Sequence, residues 1–124
     1  MKVLLTGATG FIGTYAAEIL SATSHEIVAV NRREEKTDGN IRYIKRNLID
    51  PVERKDLFEK FRFDALLHLA WFAEHGKFWS APENLDWTVA SIDLVKEFVD
   101  QGGKRVVVAG TCAEYDWSVA GYCL

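Results

Sequence analysis

Gly7, Gly10 and Gly13 stand three residues apart, between the apolar run Val3-Leu4-Leu5 and a helical pattern that begins at Phe11. That junction constrains the chain more than any other stretch. The apolar run, ending at Thr6, predicts a buried parallel strand. A helix starting just past it presents free backbone N–H groups and the positive end of its dipole, a seat for an anion. Side chains at the turn would hold the anion off. Gly7 permits a tight turn, Gly10 lets the backbone approach a ligand, and Gly13 lets the helix lie close on the strand. The spacing is G-x-x-G-x-x-G, not the G-x-G-x-x-G of the standard dinucleotide fingerprint. The pattern predicts a bound diphosphate; the plainer alternative is a turn that needs glycine and nothing more. No Gly-Lys-Ser/Thr follows the glycines, which excludes a phosphate-loop NTPase.

Thr6-Gly7-Ala8-Thr9-Gly10-Phe11-Ile12-Gly13 resembles the T-G-x-x-G-x-x-G signature of extended short-chain dehydrogenases/reductases, the NAD-dependent epimerase/dehydratase family. The resemblance implies a nicotinamide dinucleotide at this turn, against Gly7, Thr9, Gly10, Phe11, Ile12 and Gly13. It also implies an α/β, Rossmann-like three-layer fold.

At 124 residues the chain predicts one domain, an NAD(P)-binding domain over 1–124. A net charge of -3 gives no nucleic-acid footprint. No apolar run approaches membrane-spanning length, and Met1-Lys2 leads straight into the first strand. Cys112 and Cys123 fit no zinc spacing, so the expected compartment is the reducing cytoplasm. The sequence stops at Leu124 soon after its last predicted strand, so the expectation is the first part of a longer fold, truncated after the fifth strand.

The chain then alternates. Phe11 to about Ala22 predicts a helix with Ile12, Tyr15 or Ala16, Ile19 and Leu20 on its inner face. Glu26 to Val30 predicts the second strand and Ile41 to Ile44 the third, with Thr37 to Asn40 as a loop between them. Asp50 and Pro51 cap and start a helix running to about Phe61, with Leu57 and Phe58 inward. Asp64 to Ala70 predicts the fourth strand and Lys104 to Ala109 the fifth. This rhythm implies a parallel sheet with right-handed crossovers and order 3-2-1-4-5.

The second strand ends in Asn31-Arg32-Arg33, where an acidic residue usually meets the ribose hydroxyls of NAD. An arginine there pairs with the 2′-phosphate of NADP. Glu34 and Glu35 follow at once, and a solvated charge run is the alternative. The residues favour NADP over NAD. By the resemblance, Asn47-Leu48 stands where the family often has Asp-Leu near the adenine, and Asn47 can offer its amide to the ring edge.

His68-Leu69-Ala70 resembles the family's His-Leu-Ala-Ala segment, which puts Leu69, Ala70 and Trp71 beside the cofactor. A lone His in an apolar strand reads as a hydrogen-bonded core residue rather than a base. Trp71 to Ser80 is a loop rich in aromatics, at the end of the strand where open α/β sheets bind ligands. Its aromatics Trp71, Phe72, Phe78 and Trp79 either wall a substrate or nicotinamide pocket or pack against a second domain beyond residue 124.

Pro82 to about Gln101 predicts a helix with two apolar stripes, Leu85-Val89-Ile92-Val95-Val99 and Trp87-Leu94-Phe98. One stripe covers the sheet. The other needs a partner, either a homodimer, as the resemblance implies, or a neighbouring helix.

Gly110-Thr111-Cys112-Ala113-Glu114-Tyr115 resembles the active-site segment of the family's nucleotide-sugar epimerases. The resemblance puts the catalytic hydroxyl on Thr111, hydrogen-bonded to the substrate oxygen. Cys112 reads as a small packed residue. The family's general base is a Tyr-x-x-x-Lys tyrosine, and no such pattern occurs in the 124 residues, so this stretch is expected to bind cofactor and catalyse little. The dehydratases carry Thr-Asp-Glu where Thr111-Cys112-Ala113 stands. That leaves 4-epimerisation or 4-keto reduction of a nucleotide sugar as the implied chemistry. The alternative is a non-catalytic NAD(P)-binding or redox-sensing module.

Overall fold

The computed structural model describes residues 1–111, 114–116 and 118. The expected packing of Cys112 lies outside them. Among the described residues nine elements follow one another: β1 (Lys2–Thr6), α1 (Phe11–Ser21), β2 (Glu26–Asn31), β3 (Lys36–Asp38), β4 (Ile41–Lys45), α2 (Pro51–Lys60), β5 (Ala65–His68), α3 (Glu83–Asp100) and β6 (Arg105–Val108). They form one sheet of order β3-β4-β2-β1-β5-β6. The four pairings of the expected topology are present as a parallel ladder of five strands, β4-β2-β1-β5-β6.

The sixth strand is a correction. Lys36–Asp38 belongs to no loop but pairs antiparallel with Ile41–Tyr43. Gly39 at φ 56° and Asn40 form the two-residue connection. A hairpin this short needs a residue at positive φ, and Gly supplies it. Asn40 fastens the hairpin to the body, its Nδ2 donating to the carbonyls of Leu20, Thr23 and His25 at 2.8–3.1 Å.

The alternation of β1 sets the layers. Val3 and Leu5 face α1 and cluster with Ala17, Ile27 and Ala29. Leu4 faces the other way, into a larger core with Val28, Leu57, Phe58, Leu66, Trp87, Leu94 and Phe98. One helix therefore covers one face, and α2 and α3 cover the other.

The inner face of α1 is also corrected. Gly13 and Ala17 are buried there, while Ile12, Tyr15 and Ile19 are exposed and Leu20 packs only at its edge. The cause is steric. A Cβ on Gly13 would lie 1.9 Å from the carbonyl oxygen of Gly7. A helix that close to a strand accepts only small residues between them, and its larger side chains are pushed to the flanks.

On α2, Asp50 caps as expected, its side chain accepting from the N–H groups of Val52 and Glu53. On α3, the aromatic stripe of Trp87, Leu94 and Phe98, joined by Ala90, faces the sheet. Leu85, Val89, Ile92 and Val99 point outward, Leu85 with 74% of its surface exposed. Between the two helices Arg54 is 3% exposed. It donates to the Leu48 carbonyl at 2.8 Å, to Asp93 at 3.0 Å and to Glu97 at 3.3 Å. Every arm of this buried guanidinium is paired, the condition for keeping such a charge inside. No helix among the described residues is long and apolar enough to cross a membrane.

Candidate dinucleotide-binding groove

The turn between β1 and α1 is fixed by its glycines from two directions. Gly7 has φ 72°, and a Cβ on it would meet the backbone of Leu69 and Ala70 at 2.7–2.8 Å. Gly13 is held against Gly7 in the same way, as above. Gly10 differs: the nearest atom to a Cβ there is the Gly7 oxygen at 3.2 Å, and the rest is open. Gly10 is the N-cap of α1, no side chain caps the helix, and its first turn holds no acidic residue. The N–H groups of Phe11, Ile12 and Gly13 have no intrahelical acceptor, as in the first turn of any α-helix.

These groups face a groove of about 430 Å³ along the carboxyl ends of the parallel strands. It is lined by Gly7, Thr9, Gly10, Phe11, Ile12 and Gly13, by Asn31, Arg32 and Leu48, and by Leu69, Ala70 and Trp71. Those twelve come from the ends of β1, β2, β4 and β5 and from the first turn of α1, and the sequence pointed to all of them. Val30, Arg33, Arg46, Ala73 and Trp87 also line it and were not foreseen. Arg33 carried a signal, as the neighbour of Arg32; Trp87 read only as a stripe residue.

Two expected site residues lie outside the lining. Asn47 is exposed, its N–H donating to Glu53 at 2.7 Å and its Oδ1 accepting from Ile49 at 3.3 Å. It shapes the turn into α2, and Leu48 next to it reaches the groove instead. Thr111 is exposed beyond β6, with its backbone N–H donating to Glu114 at 2.9 Å.

At the β2 end, Asn31 is buried and builds a turn. Its Oδ1 accepts from the N–H groups of Arg33 at 2.7 Å and Glu34 at 3.0 Å, and its Nδ2 donates to the Glu34 carbonyl at 2.9 Å. The turn sets Arg32 and Arg33 outward into the groove mouth. The flanking carboxylates are drawn elsewhere: Glu34 to Lys36 at 3.5 Å and Glu35 towards Arg46 at 3.7 Å. Among the described residues no salt bridge holds Arg32 or Arg33. Arg46 is tied to Asp56 at 2.7 Å. Hydrogen bonds from Lys60 and Arg46 hold the Asp56 carboxyl below the usual range.

Behind the Leu69–Ala70 wall lies a buried polar chain. Thr6 Oγ1 accepts from the N–H groups of Leu69 at 3.1 Å and Ala70 at 3.2 Å. Both lone pairs are then used, so its hydrogen goes to His68 Nδ1, 2.7 Å away. That assigns the ring proton to Nε2, which donates to Ser91 Oγ on α3 at 2.8 Å. His68 is 3% exposed, and burial pushes its pKa down. Both ring nitrogens are occupied inside the core, in keeping with a structural histidine.

A profile of the NAD dependent epimerase/dehydratase family matches residues 3–120. The chain belongs to that family. The resemblance carried by Thr6 to Gly13 is thereby upheld, and the family's glycine spacing is the one whose geometry is described above. UDP-arabinose 4-epimerase 1 of Arabidopsis thaliana is 27% identical over 128 residues, covering 91% of this chain and 30% of that protein. The dTDP-6-deoxy-L-talose 4-dehydrogenase (NAD(+)) of Aggregatibacter actinomycetemcomitans is 27% identical over 124 residues, 96% of this chain and 44% of that one. Among solved structures, MoeE5 in complex with UDP-glucuronic acid and NAD is 31% identical, with a TM-score of 0.78 over 93% of this chain and 38% of that one. The chain thus spans less than half the length of these family members.

Proposed function

We propose that the chain is the nicotinamide-dinucleotide-binding part of an oxidoreductase or epimerase acting on a nucleotide sugar, by 4-epimerisation or 4-keto reduction. The observation that carries this reading is the α1 N-terminus: uncapped, free of carboxylates, and pinned to β1 by glycines that tolerate no side chain. A diphosphate fits there, on the N–H groups of Phe11, Ile12 and Gly13. The names of the relatives, two acting on nucleotide sugars at carbon 4 and one bound to NAD, support the class of chemistry. Residues 1–124 then form an NAD(P)-binding Rossmann domain.

In this reading the chain's own groups divide the work. The helix terminus holds the diphosphate. Leu48 floors the adenine side, and the Asn31 turn aims Arg32 and Arg33 at the ribose, where paired guanidinium groups select a 2′-phosphate and hence NADP over NAD. When bound, the nicotinamide supplies hydride transfer. Thr111 would donate its hydroxyl to the substrate oxygen. The exposed stripe of α3 would meet a second copy, and the thiols of Cys112 and Cys123 suit the cytoplasm.

Titration with NADP and NAD, before and after Arg32→Ala, tests the assignment. NADP affinity should fall roughly tenfold or more, as for loss of a charge-assisted pair, with NAD affinity unchanged. Equal losses for both, or none, would remove the 2′-phosphate reading.

A further inference from the structure

Trp71 lines the groove just past the end of β5, on a different strand end from the glycine turn and the arginines. The groove crosses the ends of β4, β2, β1 and β5 in that spatial order. Arg46 and Leu48 follow β4, Arg32 and Arg33 follow β2, the glycine turn follows β1, and Trp71 follows β5. A dinucleotide with its diphosphate on α1 and its adenosine towards the arginines must place its other half over the end of β5.

There the wall is aromatic. Trp71 is 46% exposed and Trp87, also in the lining, 8% exposed, their rings tilted at 37° with centroids 6.5 Å apart. The one polar atom of the Trp71 ring is already used, since Nε1–H donates to Asn84 Oδ1 at 3.0 Å. Asn84 is itself held, its Nδ2 donating to the Phe78 carbonyl at 2.6 Å. The indole is therefore fixed in place with its hydrogen bonding complete. What it can offer a ligand is its π face, which prefers flat rings and favours cationic ones. The oxidised nicotinamide ring is both.

We propose that Trp71 is a specificity residue that stacks on the nicotinamide half of the cofactor. The proposal rests on the dinucleotide reading of the groove. NADP+ and 2′-phospho-ADP-ribose differ only in the nicotinamide, so the test titrates both into the intact chain and into Trp71→Ala and Trp71→Phe. The unaltered chain should bind NADP+ about tenfold more tightly than 2′-phospho-ADP-ribose. Trp71→Ala should erase that ratio and leave 2′-phospho-ADP-ribose binding unchanged; Trp71→Phe should keep most of it. A loss shared equally by the two ligands, or no loss, overturns the proposal and leaves the groove reading intact. If neither ligand binds the unaltered chain, the groove reading itself fails and takes this one with it.

Discussion

Gly13→Ala should unseat α1 and abolish dinucleotide binding, whereas Gly10→Ala should abolish binding at a much smaller cost to the fold. The added methyl at Gly13 meets backbone atoms only: the Gly7 oxygen at 1.9 Å, the Gly7 carbonyl carbon at 2.7 Å and Ala8 Cα at 2.9 Å. Ordinary contact begins at 3.4 Å, and backbone cannot rotate aside as a side chain does. The helix has to lift off β1, opening the contact of Ala17 with Val3 and Leu5. A loss of about 3 kcal/mol is expected, at the upper end of overpacking penalties. At Gly10 the same methyl has one neighbour at 3.2 Å and then faces the groove. Its stability cost should be about 1 kcal/mol, because Ala is a poorer N-cap than Gly and the contact with the Gly7 oxygen is mildly tight. Urea unfolding together with NADP titration separates the two. Two variants that behave alike would mean that the glycines serve the turn alone.

The second large effect belongs to Thr6. Thr6→Val keeps the shape and removes the hydroxyl, which leaves the Ala70 N–H and His68 Nδ1 without their partner inside the core. Stranded buried groups of this kind cost about 1–3 kcal/mol each, so a loss near 3 kcal/mol is expected. Thr6→Ser keeps the hydroxyl and should lose only about 1 kcal/mol, the worth of one buried methyl. The same chain predicts a pH dependence. The folded-state pKa of His68 lies below its ordinary 6.5 because burial disfavours the imidazolium. The unfolded chain therefore takes up the proton first as acid is added. Stability from this residue is complete above about pH 6.5 and declines as pH falls from there towards the lowered value. His68→Asn should remove that step from an acid-unfolding series. The step belonging to Asp56, whose lowered pKa makes its stabilisation vanish only below its ordinary 3.8, should remain.

What the sequence made legible was local. Gly7 to Gly13, the Asp50 cap and the parallel strand order each follow from neighbouring residues and known spacings, and each is present. What it hid depended on distance. Ile12, Tyr15 and Ile19 look like a core face of α1, although the close approach expected at Gly13 already calls for a face of small residues there. The helical wheel of α3 displayed two apolar stripes but not which one meets the sheet; the aromatic one does. Asn31 looked like a ligand residue because of its place at the end of β2. Its amide is spent on the turn that displays Arg32 and Arg33. Arg54 drew no attention in a charged helix. Only the approach of Asp93 and Glu97, some forty residues on, made burial of its guanidinium tolerable.

All of this converges on three amide groups. Backbone N–H resonances of Phe11, Ile12 and Gly13, followed by two-dimensional NMR while NADP is added, report directly on whether a diphosphate sits at the start of α1. The account predicts that these three shift together and saturate with the ligand, and that ADP-ribose moves them in the same direction. Binding that leaves them in place while resonances elsewhere move would contradict it.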